Sequence, residues 1–128
     1  MIFADSSYFI GLADSKDQWH QQAVGVLNKI KDKLMISDLV ISETVTSIGS
    51  RAGGKAGKRM YDFFCDNCEI VYFDDELLDE GMDIFLKYGG KLSVADSVSV
   101  ATMKRKGIKK IISFDSDFDR VKGINRVC

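Results

Sequence analysis

Acids stand at several points of this chain where they could do chemistry together. Asp5 closes the apolar run Met1–Ala4, and Asp115 and Asp117 follow Ile111-Ile112-Ser113-Phe114. In a parallel sheet both groups would emerge at one edge, where ligands bind, so they can be spatial neighbours. Asp96 lies in Val94-Ala95-Asp96-Ser97-Val98-Ser99-Val100-Ala101-Thr102-Met103, a helical stretch that is apolar on nearly every face. An ionised carboxylate buried there needs a partner, and no Lys or Arg lies within the same turn; a metal ion would serve. Glu43 belongs to a helix opened by Ser37-Asp38, and it points away from the apolar line Ile41, Val45 and Ile48, towards Thr46, Ser47 and Ser50. A structural reading stands beside each of these. Asp is a favoured N-cap, Ser93-x-x-Asp96 is a capping box, and Glu43 can be one charge on a solvated face.

The elements that must position these residues follow from periodicity. Met1–Ala4, Leu34–Ile36, Glu69–Phe73 and Ile111–Phe114 read as strands, with Ile124–Val127 as an edge strand. Between them, Tyr8–Ala13, Lys16–Asp32, Asp38–Ser50, a stretch around Met60, Phe63 and Phe64, Asp75 to about Gly89, and Ser93–Arg105 read as helices. Strands alternating with helices imply βαβ units, hence an α/β fold with a mostly parallel sheet covered on both faces.

Composition narrows the class. The 128 residues fit one domain, and 45% hydrophobic with 29% charged residues excludes disorder. No apolar run is long enough to span a membrane. The N-terminus, with no basic stretch and an acid at its fifth position, is unlike a secretory signal, and the three cysteines are too few for a disulfide framework; a cytoplasmic location is expected. Eighteen basic against nineteen acidic residues give a net charge of -1, so any contact with nucleic acid must come from a local patch. Proline is absent, which has no evident physical reason.

Arg51, Lys55, Lys58 and Arg59 supply one such patch, in a glycine-rich stretch that interrupts the helical pattern and reads as a break or a flexible loop, its glycines letting the backbone approach phosphates. A solvated loop is the alternative. Lys104, Arg105, Lys106, Lys109 and Lys110 suit a helix C-terminus. His20, the only histidine, reads as a surface or partly packed residue. Cys65-x-x-Cys68 follows a helix instead of opening one, against a redox role, and no second pair completes a zinc site. A local disulfide stays open.

Asp5-Ser6-Ser7, Ser37-Asp38-Leu39-Val40-Ile41-Ser42-Glu43, Leu92-Ser93-Val94-Ala95-Asp96 and Ile111-Ile112-Ser113-Phe114-Asp115-Ser116-Asp117-Phe118 together resemble the four acidic motifs of the PIN-domain nucleases. Length and motif order resemble especially the VapC toxins of prokaryotic toxin–antitoxin pairs. The resemblance covers the whole chain, as one domain over residues 1–128. It implies a three-layer α/β/α fold with a sheet of about five strands. It also implies a Mg²⁺- or Mn²⁺-dependent endoribonuclease in which Asp5, Glu43, Asp96 and Asp115 form the acidic pocket. Asp117 is then the alternative fourth ligand or a second-metal candidate, and Ser6 and Ser113 support the site. The partners implied are RNA, an antitoxin and a second copy of the chain. The homodimer interface would use Trp19, Ala23, Val26 and Ile30, or the helix around Leu78 and Phe85. A PIN nuclease of RNA maturation or turnover without an antitoxin, and a non-catalytic RNA-binding PIN module, are the competing readings. A receiver-type phosphoacceptor is disfavoured because no paired acids close the first strand.

Overall fold

The computed structural model describes residues 1–127. Ile2–Ala4 forms strand β1, whose three side chains are almost wholly buried. So short and apolar a strand needs neighbours on both sides and cover on both faces. It pairs in parallel with β2 (Leu34–Ser37) through Ile2↔Leu34, and with β4 (Lys110–Ile112) through Phe3↔Ile111. Outside these lie β3 (Cys68–Val71) and β5 (Asn125–Val127), in the order β3-β2-β1-β4-β5, and every pairing is parallel. The expected mostly parallel sheet is therefore fully parallel over these strands, and the expected edge strand is β5.

The path outward from β1 to β3 carries α1 (Ser6–Ala13), α2 (His20–Lys29), α3 (Asp38–Ala52) and α4 (Gly54–Asn67). The return to β4 carries α5 (Asp75–Lys87) and α6 (Val94–Lys106). Right-handed crossovers put helices on opposite faces when the direction reverses, and the packing agrees: α1 to α4 pack among themselves and α5 on α6. The reversal leaves a switch point between β1 and β4, beyond whose carboxyl ends a ligand site is expected.

Helix α6 is buried without interruption from Ser97 to Met103. Its hydroxyls at Ser99 and Thr102 donate to the carbonyls of Ala95 and Val98, which lets a helix with no polar face pack inside. Ser37, Asp74 and Ser93 cap α3, α5 and α6 by accepting from Val40, Leu77 and Asp96 N–H. No helix among the described residues is long and apolar enough to cross a membrane.

The structure corrects the sequence reading in three places. The helix expected from Lys16 begins only at His20, because the Asp14 and Asp17 carboxylates accept from Lys16 and Trp19 N–H and hold the chain in turns. The glycine-rich basic stretch is no loop: α3 runs on to Ala52, Gly53 alone breaks the helix at φ 94°, and α4 starts at Gly54. The buried line of α3 is Val40, Thr44 and Ile48, with Ile41 and Val45 only half-buried beside it.

Helix pairs cross at glycines. A Cβ on Gly57 would lie 3.1 Å from the Val45 carbonyl oxygen across α3–α4, so this glycine serves packing and not phosphate approach. On Gly81 a Cβ would lie 2.7 Å from Val98 Cγ2 and 3.2 Å from Val98 Cα, at the α5–α6 crossing. Gly81→Ala should therefore lower the melting temperature, although Ala is favoured over Gly in a helix by about 1 kcal/mol. Gly25→Ala in α2 meets nothing within 4 Å and should raise it. Thermal melts of the two variants against wild type check this, and shifts of the same sign would contradict the close-packing account.

Candidate active site

Asp5 ends the central strand and is 5% exposed. Although it occupies the N-cap position of α1, its side chain makes no capping bond. Its Oδ2 instead accepts two hydroxyl protons, from Ser113 at 2.7 Å and Ser7 at 3.0 Å. Each hydroxyl oxygen in turn accepts a backbone N–H at 3.0 Å, Asp115 N–H on Ser113 and Phe114 N–H on Ser7. Those bonds leave each hydroxyl proton free to point at the carboxylate. Burial drives the Asp5 pKa up, and the Ser113 and Ser7 hydroxyls and the Ser6 N–H pull against it.

Asp96 lies in the first turn of α6, where its N–H donates to Ser93 Oγ at 3.0 Å. Half of the expected capping box is thus formed. Its carboxyl is pushed up to about 7, first by burial and then by Asp5, Asp115 and Glu43 in that order. All three charges act with the same sign, which makes Asp96 the electrostatic centre of the acids. Glu43 stands on the exposed side of α3. Its pKa is also raised, by the protein around it and then by Asp5. The four acids drawn from β1, α3, α6 and the segment after β4 therefore feel one another. Among the described residues, no three His, Cys, Asp or Glu side chains stand close enough to hold one ion as they lie.

After β4 the chain turns through a 3₁₀ segment, Ser116–Arg120. Asp115 caps it, its Oδ1 accepting from Asp117 N–H at 2.9 Å, so the capping reading holds for this acid. Asp117 is half-buried and pairs with Arg120 Nε at 3.4 Å, and the charges that raise Asp96 are those of Asp5, Asp115 and Glu43. Phe114, just before Asp115, is stacked on Trp19, with centroids 5.2 Å apart and planes within 7°. Arg126 of β5 donates to the Ser113 carbonyl at 3.2 Å and grips both oxygens of Asp119.

Of the hydroxyls that the resemblance implied, Ser113 donates to Asp5 Oδ2. Ser6 contributes its backbone N–H to Asp5, and the second hydroxyl is that of Ser7. The repeated Ser6-Ser7 was the available signal: a residue two beyond a strand-end acid faces back across the first helical turn. Arg126 left no local signal. In the basic stretch, Arg51 pairs with Asp14 at 2.9 Å and Lys58 with Asp62 at 2.6 Å, whereas Lys55 and Arg59 are exposed on α4. His20 is half-buried, its Nδ1 2.7 Å from the Gly11 carbonyl oxygen. Cys65 and Cys68 are free thiols, with burial pushing Cys68 up to about 11; Cys128 lies outside the described residues.

Known proteins share this fold. A protein of Mycobacterium tuberculosis strain H37Rv, described as the 23S rRNA-specific endonuclease VapC20, is 26% identical over 120 residues, covering 92% of each chain. The crystal structure of M. tuberculosis VapC20, described as a Sarcin-Ricin loop cleaving toxin, superposes with a TM-score of 0.85 at 24% identity, covering 93% of both chains. A toxin–antitoxin complex from Klebsiella pneumoniae gives 0.75 at 17% identity over 98% of this chain and 96% of that one. Residues 2–124 match the PIN domain, and the chain belongs to that family.

Proposed function

We propose that this chain is a divalent-metal-dependent endoribonuclease acting as the cytoplasmic toxin of a toxin–antitoxin pair, one domain over residues 1–128. The observation that carries the reading is Asp96, a half-buried carboxyl raised to about 7 and facing three further carboxylates. Such a group is unfavourable as it stands. An all-oxygen, multiply negative donor set suits hard cations such as Mg²⁺ or Mn²⁺ and suits no soft metal. Asp5, Glu43, Asp96 and Asp115 would hold the ion, with Asp117 next to them. A bound ion would supply an acidified water and neutralise charge on the phosphate. The chain's own contribution is orientation: Ser7 and Ser113 aim Asp5 and oppose the burial that raises it, and Ser93 fixes the first turn that carries Asp96. The name of the Mycobacterium relative supports RNA as substrate, and the Klebsiella neighbour supports an antitoxin.

Positive charge must bring a polyanion to an acidic pocket. In this reading Arg51, Lys55, Lys58 and Arg59 do so, Lys55 and Arg59 more than the two already paired with acids. A homodimer would use α5, where Leu78, Met82 and Leu86 are 36%, 42% and 79% exposed along one side. The alternative stripe does not suit, because Ala23 and Val26 are core.

Three outcomes are expected. Without metal, stability should fall as pH rises from about 4 through about 7: the folded state holds the Asp96 proton that the unfolded chain has released, and Asp5 and Glu43 shift in the same direction. Millimolar Mn²⁺ should raise the melting temperature at neutral pH, and Asp96→Asn should flatten both effects. A wild type indifferent to metal would count against a shared pocket.

Asp5→Asn should abolish cleavage of RNA while leaving its binding equal or stronger, as gel shifts and cleavage assays would show. Neutralising Lys55, Lys58 and Arg59 together should instead weaken binding and lower the salt slope by roughly 2 units, at about 0.7 per phosphate contact. An unchanged slope would make the stretch a solvated helix face. Expression of the wild type alone should slow host growth, and equal toxicity of Asp96→Asn would favour the binding-module reading.

A further inference from the structure

We propose that Arg126 is a positioning residue of this site: one guanidinium, reaching from the outermost strand, clamps both ends of the segment that carries Asp115 and Asp117. Its consequence for metal rests on the nuclease reading; the clamp itself does not. At one end Nη1 donates to the Ser113 carbonyl oxygen at 3.2 Å, and at the other Nε and Nη2 donate to Asp119 Oδ1 and Oδ2 at 2.9 and 3.0 Å. The β4–β5 ladder closes at Ile112↔Val127, so the Ser113 carbonyl lies past the last strand pair and the side chain of Arg126 takes it up.

From the Ser113 anchor a series of bonds runs as far as Asp117. Ser113 Oγ donates to Asp5 Oδ2, Asp115 N–H donates to Ser113 Oγ, and Asp117 N–H donates to Asp115 Oδ1. Rotation of the Ser113–Phe114 peptide would break the bond from Phe114 N–H to Ser7 Oγ, the hydroxyl that also donates to Asp5, and the Arg126 contact to that peptide's carbonyl opposes it. The turn is also pinned by Phe118, which is fully buried. Arg suits the task because its planar fork offers donors in several fixed directions; a Lys ammonium has the charge without the span. The ion pair with Asp119, whose own side chain is 54% exposed, is worth little to global stability, so the clamp acts locally.

The proposal makes a sign prediction that separates it from charge alone. Removing a cation near acids should tighten Mn²⁺ binding if only charge matters, and weaken it if Arg126 positions the acids. Wild type, Arg126→Gln and Arg126→Lys would be titrated with Mn²⁺, followed by water-proton relaxation. Amide hydrogen exchange at Asp115 and Asp117 would be measured by NMR on the metal-free proteins. Both variants should bind Mn²⁺ roughly tenfold more weakly, as loss of a ligand's supporting partner commonly causes. Both should exchange the two amides faster, with melting temperatures close to wild type. Unchanged or tighter Mn²⁺ binding in Arg126→Gln overturns the proposal, as does full recovery in Arg126→Lys, since charge would then suffice. Wild-type amide exchange in Arg126→Gln overturns it whatever the metal affinity. If the wild type binds no Mn²⁺, the nuclease reading fails and amide exchange alone decides the clamp.

Discussion

A carboxylate buried at the end of the central strand sets the terms for everything around it. Asp5 has lost nearly all contact with water, and an ionised group in that position is tolerated only if its oxygens are met by donors. The donors come from sequence-distant places: Ser7 at the start of α1, and Ser113 where β4 ends. Because those hydroxyls are themselves committed by backbone N–H groups, the geometry of Asp5 is tied to the exact path of the chain after β4. The order of the sheet makes this possible, since β1 and β4 are neighbours only because the chain reverses direction between β3 and β4.

The acids and the core serve opposite ends. Burial and mutual repulsion raise Asp5, Glu43 and Asp96 together, and each loses stability by being kept where it is. The surrounding structure offsets this with apolar packing of the most ordinary kind. Phe3, Phe9, Ile111 and Ile112 are fully buried at or beside the strands that carry the acids, and behind Asp96 α6 places Val98, Val100 and Met103 in the core. Proteins commonly carry such local cost at functional sites when the rest of the fold can support it.

Much of this was legible in the residues. Alternation of short apolar runs with helical patterns was enough for the parallel sheet, since parallel strands are buried on both faces and read as continuous Val/Ile/Leu runs. Asp5, Asp96 and Asp115 were visible for the same reason: an acid that interrupts an apolar run stands out. Three things were not legible. Gly57 looked like loop material, because a glycine admitted for close helix crossing and one admitted for a turn are the same letter. The start of α2 was displaced by side-chain bonds of Asp14 and Asp17 that compete with helix only once the turn is formed. Arg126 sits in a three-residue strand, and its bonds reach back to Ser113 and Asp119, a relation that no local window contains.

The separation between Asp5 and Ser113, 108 positions along the chain, has a consequence in time as well as space. Chains emerge from the ribosome in order, and contacts between distant positions form last because the loop between them must be closed first. The first acid is made 108 residues before the hydroxyl that orients it, and the strand beside it is made just before that hydroxyl. A nascent chain therefore carries a scattered set of acids and no assembled site until synthesis has passed β4 and Ser113. In the proposed role, a polypeptide still tethered to a ribosome would be harmless to the RNA of the machine that is making it.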